Sequence, residues 1–401
     1  GGTALNTLYD IPEAAALVEP GQELPAGGLG AGHFSFQLDG GFGRWRLGPG
    51  LIGRDAPSPA GRFHLWVEQA GGTALHTLAT IADERYPWGA RLAAPAVHRQ
   101  LFPLTWAEYP DSELGVRLEG LLFSPVIVGA HRESSQPIYV MAWRVHNPSP
   151  EPLQAAMMLT WAYGWPDPVH GAVFDFQHDN LCLTGSLGKL DRYNRQAVAV
   201  PDLHYIGIYK QGIEPWDVSS DGTALLADFA EDGELDPAVA RGDTQGVAAW
   251  VKFALAPGET KEVPFIVVWH FPFYDAGPLA GKPRYYTQYL GKRRPDNAVV
   301  WLAEQAVQHY GGGSPNYHYW LQRIADWHTA VLADKSATPE QHGAAINRLA
   351  AILRADTVWS DDGHFALTGP DSVENQAVRE LLTYDLPFGI LWPRIAAALN
   401  G

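Results

Sequence analysis

The amino-acid sequence predicts a multidomain chain, with a large antiparallel β-sandwich followed by the incomplete start of a helical domain. Three observations carry that prediction. The chain has 401 residues, more than one hydrophobic core ordinarily organises. Up to about residue 275, apolar residues alternate with polar ones in short runs between turn residues, the period-two signature of half-buried strands. From about residue 295 the spacing changes to the 3.6-residue period of amphipathic helices. The expected organisation is a sandwich domain at 1–275, a linker at 276–295 and the first helices of a second domain at 296–401.

In chain order, "RFHLWVEQ" (62–69), "PIYVMAWRVHNPSP" (137–150) and "KEVPFIVVWHF" (261–271) read as strands. The turn signals "HNPSPEP" and "LAPGETKE" separate them, and no helical period intervenes, which favours a sandwich. Asp296 is the expected cap of a first helix whose inward face is Val299, Leu302, Ala303, Ala306 and Tyr310. "GGGSP" (311–315) ends it. Tyr317, Trp320, Leu321, Ile324, His328, Val331 and Leu332 then form a second apolar stripe. A third helix opens on Thr338 as N-cap, Pro339 in the first turn and Gln341 closing a capping box. Its stripe is Ile346, Leu349, Ala350 and Leu353. A hairpin is expected at 357–367 around Asp-Asp-Gly, and a last helix capped by Asp385, with Phe388, Leu391, Trp392 and Ile395 inward. Four one-sided helices close no core alone, so they read as the opening of a larger helical unit that continues past Gly401.

Composition narrows the function. A net charge of −16 argues against nucleic acid, which needs clustered cations. The one basic run, "GKRRPDN" (291–297), reads as a solvated linker. No apolar run approaches the ~18 residues of a membrane span. The single cysteine, Cys182, excludes an internal disulfide framework, reads as a small buried hydrophobe and fits a cytoplasmic location. Fifteen tryptophans and 16 tyrosines could offer flat faces to sugar rings, although most must be core.

Several motifs fail on spacing. Gly28, Gly30 and Gly32 in "LPAGGLGAGHF" (24–34) lack the spacing of a dinucleotide loop and the lysine of a phosphate loop, and read as tight turns. His170, Asp175, His178 and Asp179 follow no recognised metal-ligand spacing, so no metal or cofactor is expected. His328 is most simply a core or rim histidine, and no Ser-His-Asp or Cys-His arrangement is visible. That leaves "PDSVENQAVRELLTYDLPFGILWP" (370–393), where Glu374 and Asp385 stand eleven residues apart. Were the segment helical, that spacing would put both acids on one face. The cap at Asp385 favours instead a loop or strand end at Glu374 and a helix start at Asp385, facing one cavity. Two surface acids is the simpler alternative.

Other stretches resemble a known family in order along nearly the whole chain. "LPAGGLGAGHFSFQLDGGFGRWRLGPG" (24–50) is similar to the opening of glycoside hydrolase family 116, the non-lysosomal glucosylceramidase or bile-acid β-glucosidase family. "LFPLTWAEYPDSELGVRLEGLLFSPVIVGAHRESSQPIYVMAWRVHNPSP" (101–150) resembles its most recognisable block; "RYYTQYL", "RIADWHTAVLAD" and "NRLAAILRADTVWSDDGHFAL" follow. The resemblance implies a β-sandwich followed by an (α/α)6 barrel. It also implies a retaining mechanism with a Glu nucleophile and an Asp acid/base, acting on a β-glycoside such as a glucoside or glycolipid. In the family the nucleophile lies eleven residues before the Asp of an Asn-Thr-Tyr-Asp-Val-type motif. "LTYDL" (382–386) occupies that place, so the nucleophile maps to Glu374 and the sugar-binding residues to Asp385 and Thr383. Glu380 is a second candidate with the wrong spacing. Leu382, Pro387 and Gly389 depart from the family's pattern.

The family's acid/base lies further along the chain, beyond Gly401. This reading expects the 401-residue polypeptide alone to lack appreciable glycosidase activity, so robust turnover of an aryl β-glucoside by the purified chain would contradict it. A non-catalytic carbohydrate-binding or assembly protein on the same fold, and an inverting hydrolase on the same helical scaffold, are the alternatives. Oligomeric state is not legible.

Overall fold

A computed structural model describes residues 9–367 apart from 23, 48–52, 55–57, 59, 82–83, 111, 163–173, 179–181, 187–193, 201–208, 238–244, 275–278, 309–313, 336 and 355–356. Two sheets stack face to face. The first has nine strands, in spatial order Ala16–Leu17, Val97–Leu101, Leu104–Tyr109, Arg117–Phe123, Ile138–His146, Thr260–His270, Arg195–Ala199, Cys182–Ser186 and Phe174–His178. The second has six: Tyr209–Asp217, Gln245–Leu255, Leu153–Ala162, Arg62–Gln69, Gly72–Thr77 and Ala90–Arg91. Pairing is antiparallel, as the alternating pattern predicts, except between Gly72–Thr77 and Ala90–Arg91, which run parallel. A four-stranded sheet beginning at Leu24–Gly28 and Gly32–Phe36 closes one end.

Register explains why the central strands are apolar on both faces. Along Ile138–His146, Tyr139, Met141, Trp143 and Val145 enter the core between the sheets. Ile138, Val140 and Ala142 enter a second core on the other side. The neighbouring strand Thr260–His270 splits the same way, with Val263, Phe265, Val267 and Trp269 against Ile266 and Val268. The pleat sends successive side chains to opposite faces, so a sheet built of such runs needs a cover on each.

Helices supply the second cover. Among the described residues the helices are, in chain order, α1 (His131–Ser134), α2 (Thr223–Asp232), α3 (Pro295–Val307), α4 (Asn316–Leu332), α5 (Pro339–Arg348) and α6 (Ala351–Arg354), of which α2 packs on the other sheet. Val299, Leu302, Ala303 and Ala306 of α3 share one cluster with Ile138, Val140, Ile266 and Val268, and Tyr317, Trp320, Leu321 and Ile324 of α4 extend it. A buried Leu or Ile contributes about 1.5–3 kcal/mol relative to exposure, against about 1 kcal/mol for a good cap. Packing on the sheet, not capping, holds the helical layer in place.

Three sequence expectations need correction. Asp296 does not cap α3: Arg294 is the N-cap and Pro295 takes the first turn, where its missing N–H costs nothing. The third predicted helix is two, α5 and α6, broken at Leu349 and Ala350, although Ile346, Leu349, Ala350 and Leu353 are all buried as expected. The β region does contain helices, the short α1 and the ten-residue α2. Three buried residues of α2, Leu225, Leu226 and Phe229, pack on Trp66, Met158 and Trp250 of the six-stranded sheet. That stripe spans barely a turn, and the left-handed Gly222 and Gly233 (φ 74° and 78°) that bound it read as ordinary loop glycines. The Thr338–Gln341 capping box forms as predicted. Tyr310 and the expected last helix at Asp385 lie outside the described residues.

One polar cluster fastens the layers. Glu262 on the sheet accepts hydrogen bonds from Tyr9 Oη (2.6 Å), His318 Nε2 (2.6 Å) and Tyr317 Oη. Burial pushes the Glu262 carboxyl up, but His318, Tyr317 and Tyr9 outweigh it and hold the group below the usual carboxylate range. A carboxyl whose folded pKa is depressed gives stability that is present above its unfolded pKa and lost as pH falls through the folded one. Glu262→Gln is expected to cost about 2 kcal/mol at pH 7. The gap between wild type and variant should narrow as the pH is lowered below the ordinary glutamate range, read from denaturant unfolding at both pH values.

Candidate active site

Glu374, Thr383 and Asp385 lie outside the described residues, as does Glu380. What the structure resolves is the lead into that segment. The predicted hairpin forms as strands Thr357–Trp359 and Phe365–Leu367, with Asp361, Asp362 and Gly363 at the turn. Its last strand ends seven residues before Glu374.

The hairpin is clamped between the glycine-rich turn and the stretch Tyr285–Tyr289. Trp359 stacks on Tyr285 with ring centroids 3.6 Å apart. The Trp359 N–H donates to Tyr274 Oη (2.7 Å), and that hydroxyl lies 2.9 Å from the carbonyls of both Gly30 and Trp359. Lys282 Nζ meets Asp362 Oδ2 at 2.5 Å. Hydrogen bonds from Lys282, Ser360 and the His364 backbone hold the exposed Asp362 carboxyl well below the usual range.

The glycine-rich stretch now has a physical role. Gly30 sits at φ 69°, and a Cβ there would stand 2.6 Å from Trp359 Cβ. Only glycine lets the 24–34 turn approach the hairpin this closely. The Ala31 carbonyl accepts the Trp269 Nε1 proton at 2.9 Å, which ties the turn to the nine-stranded sheet. The sequence-level choice of tight turns over a nucleotide loop agrees with this geometry.

Behind the clamp lies a buried cation. Arg284 is fully buried; its Nη2 donates to the Leu47 carbonyl (2.7 Å) and its guanidinium lies 4.9 Å from the Tyr274 ring centroid. Among the described residues its Nε and Nη1 find no partner. Nearby, burial and then the charges of Arg195 and Arg284 lower His270 to about 3. His270 is therefore neutral at physiological pH and donates no acid proton there. His328 is a core histidine as expected, its Nε2 2.9 Å from the Phe102 carbonyl and its pKa lowered to about 4, mainly by burial.

Among the described residues no group of three or more His, Cys, Asp or Glu gathers to hold a metal, and no helix is long and apolar enough to cross a membrane. Asp175 and His178 lie in the edge strand Phe174–His178 and Cys182 in the strand beside it, while His170 and Asp179 fall outside the described residues. A cleft of about 390 Å³ is lined by Gln37, Asp39 and Arg44 near the glycine-rich sheet. A larger one, about 590 Å³, opens between α1, the end of α3 and the start of α4. Sequence reasoning singled out none of Arg132, Gln136, His318 and Tyr319, which line this second cleft. Their signal, polar residues beside an apolar stripe, is that of any helix boundary.

Residues 24–312 match the sequence profile of a family described as beta-glucosidase 2, glycosyl-hydrolase family 116 N-term. The chain belongs to glycosyl-hydrolase family 116. Among solved structures, this family 116 chain is similar to a bacterial glucoamylase complexed with acarbose (9% identity, 84% of this chain and 42% of that one, TM-score 0.36). A putative kojibiose phosphorylase from human microbiome gives 8% identity over 83% of this chain and 39% of the other, with TM-score 0.40. A GH36 α-galactosidase from Geobacillus stearothermophilus gives 13% identity, 63% and 41% coverage and TM-score 0.29. The family 116 chain thus spans about two fifths of the length of each of these proteins.

Proposed function

We propose that this chain carries the nucleophile of a retaining glycoside hydrolase acting on β-linked glucose or a related sugar, glycolipids included. The observation that supports the reading is the family match over residues 24–312, followed in the same chain by Glu374 eleven residues before Asp385 in "LTYDL". The expected (α/α)6 setting and the division at 275 and 295 belong to the same proposal.

In this reaction the Glu374 carboxylate attacks the anomeric carbon. The glycosidic bond breaks, and a second carboxyl group protonates the departing oxygen. Water, deprotonated by that same group, then releases the sugar from the Glu374 ester with net retention. The two carboxyls must stand about 5–5.5 Å apart. Glu374 must be ionised while its partner is protonated, so their surroundings have to push the two pKa values apart. Asp385 and Thr383 hold ring hydroxyls; a charged acceptor at a hydroxyl gains strength as positive charge develops on the sugar. Leu382, Pro387 and Gly389 favour a second reading, a chain that binds carbohydrate without cleaving it.

A 2-deoxy-2-fluoro-β-glucoside with a dinitrophenolate leaving group separates the two, because that leaving group departs without a proton. Label is expected on the peptide containing Glu374, and Glu374→Gln should abolish it, since an amide is no nucleophile. Label on Glu380 or another carboxylate would overturn the assignment, and no label at all would favour the binding-only reading.

A further inference from the structure

The 357–367 hairpin is too short to hold itself in place. Each of its strands has three residues, and a two-stranded ribbon alone is marginal in water. Its order comes from groups that reach it from distant parts of the chain. Tyr285 covers one face of the Trp359 ring, and His131 of α1 meets that ring nearly at right angles, 5.8 Å away. Arg284 pairs with Ser360 in an antiparallel bridge, and the Asp361 N–H donates to the Pro283 carbonyl at 3.0 Å. Val358 shares a buried cluster with Tyr274 and Leu279.

Two of these contacts fix position more than they add burial. A phenylalanine at 274 would bury the same ring; the hydroxyl is what takes the Trp359 N–H and ties it to the Gly30 carbonyl. On the other side, Gly30 approaches Trp359 so closely that no side chain fits between them. What the chain does next gives such precision a use. Phe365–Leu367 ends seven residues before Glu374, and seven residues span at most about 25 Å. A reacting group must be held within about 0.5 Å of its productive place. Misplacing it by about 1 Å can slow a reaction about 100-fold.

We propose that Trp359 and the Tyr274 hydroxyl are positioning residues for a nucleophile at Glu374, fixing the end of the hairpin from which the chain runs on to it. This inference rests on Glu374 having the role given under the proposed function. Neither residue touches the sugar; both act by limiting where the segment beyond Leu367 can begin.

The test measures how fast the dinitrophenyl 2-deoxy-2-fluoro-β-glucoside labels Glu374 in the purified chain, over a range of reagent concentrations. Tyr274→Phe is expected to slow labelling at saturating reagent about tenfold or more, while the fraction finally labelled stays complete. Lost stability alone would lower that fraction instead. Trp359→Ala should slow labelling further, and Trp359→Phe, which keeps a ring against Tyr285, should recover most of the loss. Glu262→Gln, destabilised where α4 meets the sheet, should label at the wild-type rate. If Trp359→Ala fails to fold, Tyr274→Phe decides the matter. An unchanged rate in Tyr274→Phe overturns the positioning role and leaves Glu374 standing as nucleophile. Equal slowing in Glu262→Gln also overturns it, because the effect is then one of stability. No label on Glu374 in the wild type removes the proposed function, and this inference with it.

Discussion

The structure depends on one constraint: over the apolar stretches of its two central strands, the nine-stranded sheet has no face that can meet water. Along its central strands one side chain enters the core between the sheets and the next enters the core beneath the helices, as Met141 and Ala142 do. A one-residue slip would exchange the two sets and put Trp143 where Ala142 now meets the helical layer. The helices are therefore more than an appendage. They complete the burial of a sheet whose composition already requires it, and the large side chains of α3 and α4 answer to Val140 and Ile266 across that boundary.

From that constraint follows the way the chain approaches its proposed catalytic segment. The helical layer ends in α6, and the chain then returns to the sandwich as the 357–367 hairpin. There Tyr274, Tyr285 and Gly30 grip Trp359 from linker and glycine-rich turn at once. The sandwich thus sets the position at which the last described strand, Phe365–Leu367, ends, seven residues before Glu374. Aromatic residues do much of this work. Phe34 alone packs against Trp45, Tyr139, Trp161 and Trp269, so most of the chain's flat rings are spent on its core and not on ligands. Tyr319 stands outside that core, 59% exposed, with the Arg323 guanidinium 5.7 Å from its ring centroid.

Much of this architecture was legible in the residues. The strand at 62–69, the Thr338 capping box and the Asp-Asp-Gly hairpin are local features, fixed by alternation or by turn and cap chemistry within a few residues. What escaped depends on distant partners. The α2 helix is helical because Leu225 and Phe229 find Trp66 and Trp250, which its own short stripe does not announce. Asp296 was a plausible cap until Pro295 claimed the first turn. Of the candidate site, the Glu374–Asp385 pair came from spacing and resemblance. The clamp and the α1–α4 cleft could not be read, because Gly30 meets Trp359, and Gln136 and His318 come to line one cleft, only in the folded chain.

The central claim is that sheet, helices and hairpin share one core and open together. Hydrogen exchange of the purified chain under native conditions tests it most directly. The account predicts that amides of α3, α4 and Val358–Trp359 exchange with protection comparable to that of Met141 and Val267 in the central strands. Fast, independent exchange of the helices and hairpin over a still-protected sandwich would contradict it.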